Sequence, residues 1–142
     1  MRYEIIPNLR YADAPKAIEF LCDAFGFERH AVYLNEVDPK IVEHAQLVWG
    51  DRMVMVASIN DSEFARAARM TTPTVAGGPT MGLYLMVEDV DSHAARARAA
   101  GATIILGPSD QGYGGRGYSA LDPEGNVWSF GNYDPWAPPP NE

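Results

Sequence analysis

The sequence predicts an α+β fold in which a βαβββ module occurs twice. A strand end, an acidic turn, an amphipathic helix and a closing glycine follow one another in residues 9–26 and again in residues 85–101. Asp13 and Asp89 lie 76 positions apart, and the turn glycines Gly50 and Gly125 lie 75 apart. Such a period is too long for one unit of a solenoid, so it indicates a duplicated module.

The first module begins with a strand over residues 5–11, which Pro7 places near a sheet edge or at a strand start. Asp13 is a good N-cap for the helix that follows, and Gly26 suits its C-terminal cap. Between them, Ile18, Leu21, Cys22 and Phe25 recur at helical spacing and form one apolar face. Three strands are then predicted over residues 29–35, 42–49 and 53–58.

The second module repeats this order, with a strand over 82–87, a helix over 90–100 and strands over 103–106, 117–121 and 126–132. The last two strands flank the turn Asp122-Pro123-Glu124-Gly125-Asn126, which is typical of a hairpin. One domain is therefore expected over residues 1–142, with modules at about 3–58 and 81–133. The linker 59–80 contains a short helix at 62–68 followed by loop composition, and 134–142 is a proline-rich tail.

Composition excludes several classes of partner. The chain has 11 basic and 19 acidic residues and a net charge of −8, whereas nucleic acids and anionic membrane surfaces attract basic proteins. No apolar run is long enough to span a bilayer, and no signal peptide is apparent. Since there is one cysteine, an intramolecular disulfide is impossible and a cytoplasmic location is expected.

The duplicated module and its Asp-Pro-Glu-Gly-Asn hairpin resemble the vicinal oxygen chelate superfamily, over roughly residues 3–133. This group includes glyoxalase I, bleomycin-resistance proteins, fosfomycin-resistance enzymes and extradiol dioxygenases. The resemblance implies eight strands that form two cups, with metal ligands contributed by four strands in the enzymes. It also implies a homodimer, because family members complete their cups by dimerising or by pairing modules in one chain.

The metal positions implied by the resemblance fall on Ile6, Val54, Gly82 and Ser129. None of these is a usual protein ligand for a divalent metal ion, and shifting the register by one residue brings no such ligand. The family's metal site is therefore predicted to be absent, and no metal or other cofactor is expected.

The predicted pocket contains a few polar groups on an apolar surface, as small-molecule sites usually do. Strand alternation and the resemblance together give its polar members: Asn8, Arg10, His44, Gln46, Tyr84, Arg116 and Ser129. Val54, Met86 and Val127 are its expected apolar members. By resemblance, Arg10 matches an arginine that holds a substrate carboxylate in glyoxalases, and Arg116 matches a position at the mouth of the cup.

The favoured interpretation is a protein that binds a small molecule, partly aromatic or cationic, without catalytic residues. An enzyme of the superfamily is the alternative, a lyase, isomerase or dioxygenase with a displaced metal site or with His44 as a metal-free base. Adjacent strand residues point to opposite faces, so Glu43 and His44 are not expected to bind one ion together. A third interpretation is a degenerate cup that binds a protein partner. His93 is expected to be exposed to solvent.

Overall fold

The computed structural model describes residues 1–138. Its elements occur in the order β1 (Asn8–Tyr11), α1 (Ala14–Phe20), a π-helical turn (Leu21–Phe25), β2 (Glu28–Leu34), β3 (Val42–Trp49), β4 (Arg52–Ser58), α2 (Glu63–Ala68), α3 (Pro73–Ala76), β5 (Gly82–Met86), α4 (Val90–Ala99), β6 (Thr103–Asp110), β7 (Arg116–Leu121) and β8 (Val127–Gly131).

The strands form two open four-stranded sheets with the same connectivity. The first sheet has the order β1-β4-β3-β2 and the second β5-β8-β7-β6. In each, the first strand of the module pairs in parallel with the last, and the other neighbours are antiparallel. The predicted α+β fold with two βαβββ modules is therefore confirmed.

Equivalent residues begin and end the two main helices. The carboxylates of Asp13 and Asp89 accept hydrogen bonds from the backbone N–H groups of Lys16 and Ser92, at 3.2 and 3.0 Å. The chain then leaves the first helix through Gly26, with φ 93°, in the left-handed region that favours glycine. These caps are local, which is why the sequence pattern located both helices.

One hydrophobic core joins the two modules. Each sheet has a face that packs on the helices, here called its helix face, and a second face on the opposite side, here called its open face. Leu9, Tyr11, Trp128 and Phe130 lie on the helix faces and belong to a single buried cluster. The phenyl ring of Phe25, from the π-helical turn, is 4.7 Å from that of Phe130 between ring centroids. The two open faces are thus separate surfaces of the chain.

Three elements differ from the expectation. Strand β1 begins at Asn8, three residues after its predicted start at residue 5. Residues 73–76 form α3 inside the stretch predicted to be loop, because the Thr72 hydroxyl caps the N–H of Val75 and Pro73 occupies the first turn. Strand β6 continues four residues beyond its predicted end at Leu106, since Ser109 and Asp110 still pair with β7. No helix in residues 1–138 is long and apolar enough to cross a membrane.

Candidate functional site

The open face of the first sheet carries four of the predicted site residues. Asn8 pairs with Met55 across β1 and β4, and Met55 pairs in turn with Gln46 on β3. Arg10 follows two positions later on β1, so it shares the face with Asn8. His44 lies two positions before Gln46, and its Nε2 is 3.3 Å from Nε2 of that amide. The structure thus brings Asn8, Arg10, His44 and Gln46 onto one surface.

Arg10 is distinctive because its Nε is buried without a hydrogen-bond partner. Among residues 1–138 it is the one buried side-chain polar atom in this state. The Phe64 ring of α2 lies over the guanidinium, with Cζ of Arg10 6.0 Å from the ring centroid. A cation–π contact stabilises the charge, but it leaves the Nε–H without an acceptor.

A cleft of about 190 Å³ opens beside Arg10, between β1 and the linker. Its polar lining comes from Asn8, Arg10, Thr71, Thr72, Thr80 and Asn126. No aspartate or glutamate of the described residues lines it. In a chain with a net charge of −8, this cleft is therefore locally neutral to positive.

The open face of the second sheet carries Tyr84 and Ser129, which pair across β5 and β8. Ser129 also faces Ser119 on β7, and the two hydroxyl oxygens are 2.7 Å apart. The Tyr84 hydroxyl donates to the carbonyl oxygen of Tyr133 at 2.7 Å. Burial raises the pKa of Tyr84 above its ordinary value. These residues line a groove of about 470 Å³.

Arg116 lies on the helix side of its strand and not on the open face. Side chains alternate along β7, so Arg116 points to the opposite side from Gly117 and to the same side as the buried Tyr118. Its guanidinium donates to both carboxylate oxygens of Asp91 on α4, at 2.9 Å each, and to Asp110 at 3.3 Å. The hydrogen bonds to Asp91 lower the pKa of that carboxyl. The expected position of Arg116 at the mouth of the cup is not what the structure shows.

Val54 also lies elsewhere than expected. It is buried on the helix face of β4, and the pairing of Asn8 with Met55 corresponds to that of Tyr84 with Ser129. Met55 is thus the counterpart of Ser129, at an offset of 74 and not 75. The cause is hairpin length: β3 and β4 are joined by residues 50–51, whereas β7 and β8 are joined by residues 122–126.

A metal ion of the kind the family enzymes use does not fit these faces. With Val54 corrected to Met55, the positions that correspond to the family's ligands bear Met55 and Ser129 on the last strands of the modules, and Ile6 and Gly82 at the first strands. None is a usual ligand for a divalent metal. In the described part of the chain, no three His, Cys, Asp or Glu side chains lie close enough to hold a metal ion.

Glu43 and His44 share the open face, contrary to the alternation argument. Tyr33 pairs with His44, and the next residue of β2 pairs with Val42, so Glu43 is the extra residue of a β-bulge. Val42 and Ala45 on either side are both buried in the core. The bulge therefore turns two consecutive side chains to the same side. The Glu43 carboxylate accepts from the Asn35 amide at 2.7 Å.

The hairpin that motivated the family resemblance has a structural role. Asp122 is buried, and its carboxylate accepts from the Tyr11 hydroxyl at 2.7 Å and from Nε1 of Trp128 at 3.1 Å. Burial and the Asp122 carboxylate together raise the pKa of Tyr11 well above its usual value. Glu124 accepts from the backbone N–H groups of Ala12 and Asp13, at 2.6 and 2.9 Å. The turn thus connects module 2 to the β1–α1 junction of module 1.

His93 forms a second connection between the modules, so the expectation that it is exposed is wrong. Its Nε2 lies 2.8 Å from the carbonyl oxygen of Phe25, and its Nδ1 lies 2.6 Å from the Tyr118 hydroxyl. The ring is surrounded by Phe25, Trp49, Tyr118 and Phe130. Burial lowers the pKa of His93, and the nearby Arg96 guanidinium adds to the effect.

Sequence reasoning missed Ser119 and Phe64. Ser119 could have been found, because strand alternation puts it on the same face as Gly117, and the hairpin turn brings it opposite Ser129. Phe64 had no usable signal, since its position over Arg10 depends on how the linker folds back on the sheet.

Two duplicated modules with mixed sheets, open faces and a shared core define a protein of the glyoxalase type. The family model for the Glyoxalase/Bleomycin resistance protein/Dioxygenase superfamily matches residues 6–130. The chain therefore belongs to this superfamily.

Relatives extend over most of the chain. An uncharacterized protein of Mycobacterium bovis is 37% identical over 128 residues, which cover 88% of this chain and 80% of that protein. An uncharacterized protein of Mycobacterium tuberculosis is also 37% identical over 128 residues, covering 88% of this chain and 71% of that protein.

Solved structures agree on the fold. TioX from Micromonospora sp. ML1 is 27% identical, with a TM-score of 0.70, and the match covers 96% of this chain and all of that one (100%). A glyoxalase/bleomycin resistance protein/dioxygenase family enzyme from Burkholderia phytofirmans PsJN is 25% identical, with a TM-score of 0.66, covering 87% of this chain and 93% of that one.

Proposed function

We propose that the protein binds a small organic molecule that presents an oxygen acceptor, such as a carboxylate or carbonyl, to Arg10. The observation that carries this proposal is the buried Nε of Arg10, which lacks a hydrogen-bond partner beside an open cleft. A buried donor left unpaired costs about 1–3 kcal/mol. A guest that supplies the acceptor removes that cost and so gains affinity.

The local charge favours an anionic or neutral guest over the cationic guest that the net charge suggests. The cleft is lined by one guanidinium and by amide and hydroxyl groups, without a carboxylate from the described residues. A guanidinium donates two parallel hydrogen bonds to a carboxylate, which gives both charge and direction. A cation in this cleft would lie near Arg10 without a compensating acid.

Binding without catalysis is the simpler reading of the residues present. The open-face positions that correspond to the family's metal ligands do not bear metal ligands, and no serine or cysteine belongs to a recognised nucleophile motif. One observation favours the enzyme alternative, namely that the bulge in β3 presents Glu43 and His44 on the same face. A general base there, or a metal bound by both side chains, would need further groups from a guest or a second copy.

A homodimer is part of the proposal, because both open faces leave apolar side chains in solvent. Met86 on the second sheet is 45% exposed, and Tyr33 on the first is 58% exposed. Covering such surface stabilises an assembly by about 25 cal/mol for each Å² of apolar area removed from water. A second copy could cover it, and the composition suits a cytoplasmic protein.

The test is a thermal-shift panel of aromatic and aliphatic carboxylates with their methyl esters, run on the wild type, Arg10→Gln and Arg29→Gln. A ligand that binds the folded state alone raises the melting temperature. At least one carboxylate should shift the wild type and Arg29→Gln equally and shift Arg10→Gln far less. Equal shifts in all three proteins, or no shift in the wild type, would overturn the role of Arg10.

A further inference from the structure

The groove on the second open face has a floor of small side chains between larger walls. Ser119 faces Ser129 across the two central strands, β7 and β8, and Gly117 faces Gly131 one row away. The walls stand on the outer strands, with Tyr84 on β5 and Leu106 on β6, and Tyr113 closes one end. Adjacent strands lie about 4.8 Å apart, so the outer strands are separated by about 14 Å.

The groove contains no ionised side chain among the described residues that line it. The neighbouring Arg116 points to the helix side and is paired with Asp91 and Asp110. A charged guest would lose its hydration here without gaining a counter-charge, which is costly. An uncharged guest avoids that penalty.

The polar groups that remain suit a neutral molecule. In the Ser119–Ser129 pair one hydroxyl donates to the other, which leaves one hydroxyl hydrogen free to donate to a guest. The Tyr84 hydroxyl is already bonded to the Tyr133 carbonyl, so Tyr84 offers its ring and not its polar end. The Tyr113 and Tyr133 rings pack edge to face at 4.9 Å between centroids, which fixes the end wall.

We infer that this groove is a slot for a flat, uncharged aromatic ring system of about two fused rings. The ring lies on the small-residue floor, contacts Tyr84 and Leu106 at its edges, and accepts a hydrogen bond from the free serine hydroxyl. Offset or edge-to-face contact with tyrosine rings favours aromatic over aliphatic guests. This inference deepens the proposed small-molecule function and rests on it, but it does not depend on Arg10.

Three naphthalenes with one substituent at position 2, which is neutral, anionic or cationic at pH 7, test the slot: 2-naphthalenemethanol, 2-naphthoate and 2-(aminomethyl)naphthalene. Isothermal titration calorimetry gives the affinity of each for the full-length protein. The neutral alcohol should bind the groove at least tenfold more tightly than the ammonium compound. Ser119→Leu fills the floor of the groove, and Tyr113→Ala removes its end wall. Each substitution should lower the affinity for the alcohol at least tenfold.

Tyr3→Ala is the matched control, since Tyr3 is a tyrosine that is 95% exposed and lines neither the groove nor the cleft beside Arg10, and it should change the affinity less than twofold. Tyr113 is itself 61% exposed, so its replacement tests the slot even if Ser119→Leu fails to fold. An alcohol that does not bind, or whose affinity neither groove variant lowers, would overturn the inference.

The same titrations separate this inference from the proposed role of Arg10. If naphthoate binds through Arg10 and the groove variants leave the affinity for the alcohol unchanged, the slot is wrong and the proposed function stands. If the alcohol depends on the groove while Arg10→Gln leaves naphthoate unchanged, the slot stands and the role of Arg10 is wrong.

Discussion

Replacing His93 with phenylalanine should remove a part of the free energy of unfolding that depends on pH. The carbonyl oxygen of Phe25 can only accept, so Nε2 of His93 carries the proton, and Nδ1 accepts from the Tyr118 hydroxyl. Burial lowers the pKa of His93 below its ordinary value, so the ring is neutral in the folded protein at pH 8. Phenylalanine preserves the aromatic packing but leaves a buried carbonyl and a buried hydroxyl without partners.

The magnitude follows from those two groups. Each unpaired buried group costs about 1–3 kcal/mol, and the better burial of the phenyl ring offsets part of this. We expect His93→Phe to lower the free energy of unfolding by about 2 kcal/mol at pH 8, measured by urea denaturation followed by tryptophan fluorescence. His30→Gln is the control, because His30 is exposed and its replacement should change the free energy of unfolding little.

The sign of the pH dependence follows from the lowered pKa. The unfolded His93 titrates near its ordinary value of 6.5 and the folded one at a lower pH. Between those two values the unfolded state binds the extra proton, so stability falls as the pH falls below about 6.5, by at most about 1.4 kcal/mol per pH unit. The difference between wild type and His93→Phe should therefore shrink on the acid side. A difference that is the same at pH 8 and pH 5.5 would refute the neutral, hydrogen-bonded His93.

The remaining predictions concern the hairpin and Arg116. Asp122→Asn should lower the free energy of unfolding by about 2–4 kcal/mol in the same assay, because its buried carboxylate accepts from Tyr11 and Trp128; a loss below 1 kcal/mol would contradict its structural role. Glu124→Gln should cost about 1 kcal/mol, since the amide keeps one acceptor for two N–H groups, and an unchanged denaturation midpoint would argue against this bridge. Arg116→Gln should change the affinity for any guest of the open faces less than twofold in calorimetry, since its guanidinium lies on the helix side; a tenfold loss would restore the position first expected for it.

Local signals made most of the fold predictable. Asp13, Asp89 and Gly26 act on the backbone next to them, and the apolar periodicity of each strand and helix is visible over a few residues. The duplication added a consistency check, since a second copy of the pattern supported the first. Strand β3 has the predicted bounds, Val42–Trp49.

The errors arose where distant parts of the chain decide the outcome. Val54 was placed on the wrong face because the two hairpins differ in length, which a constant offset between modules cannot show. His93 was expected in solvent because its hydrogen-bond partners, Phe25 and Tyr118, lie on other elements. Glu43 was assigned to the opposite side from His44 because a bulge interrupts the alternation. None of these three features has a signature within a few residues of the position it affects.

The candidate site was predictable in composition but not in assembly. Alternation correctly put Asn8 with Arg10 on one face of the first sheet. Alternation for Tyr84 and the family resemblance for Ser129 correctly put these two residues on the corresponding face of the second sheet. It could not show that the two faces form separate surfaces of one chain, because that depends on how the modules pack through their helix faces. Ligand binding by these residues stays a prediction.

We propose that this superfamily member binds a small molecule without the family's metal ion. The most direct test is the metal content of the protein. Untagged protein is incubated with zinc, nickel, manganese and ferrous iron in turn, dialysed, and measured by inductively coupled plasma mass spectrometry. The protein should retain less than about one tenth of an equivalent of metal, because the positions that correspond to the family's ligands bear groups that divalent metals do not prefer. Near-stoichiometric metal that resists dialysis would contradict this proposal and would direct attention to Glu43 and His44.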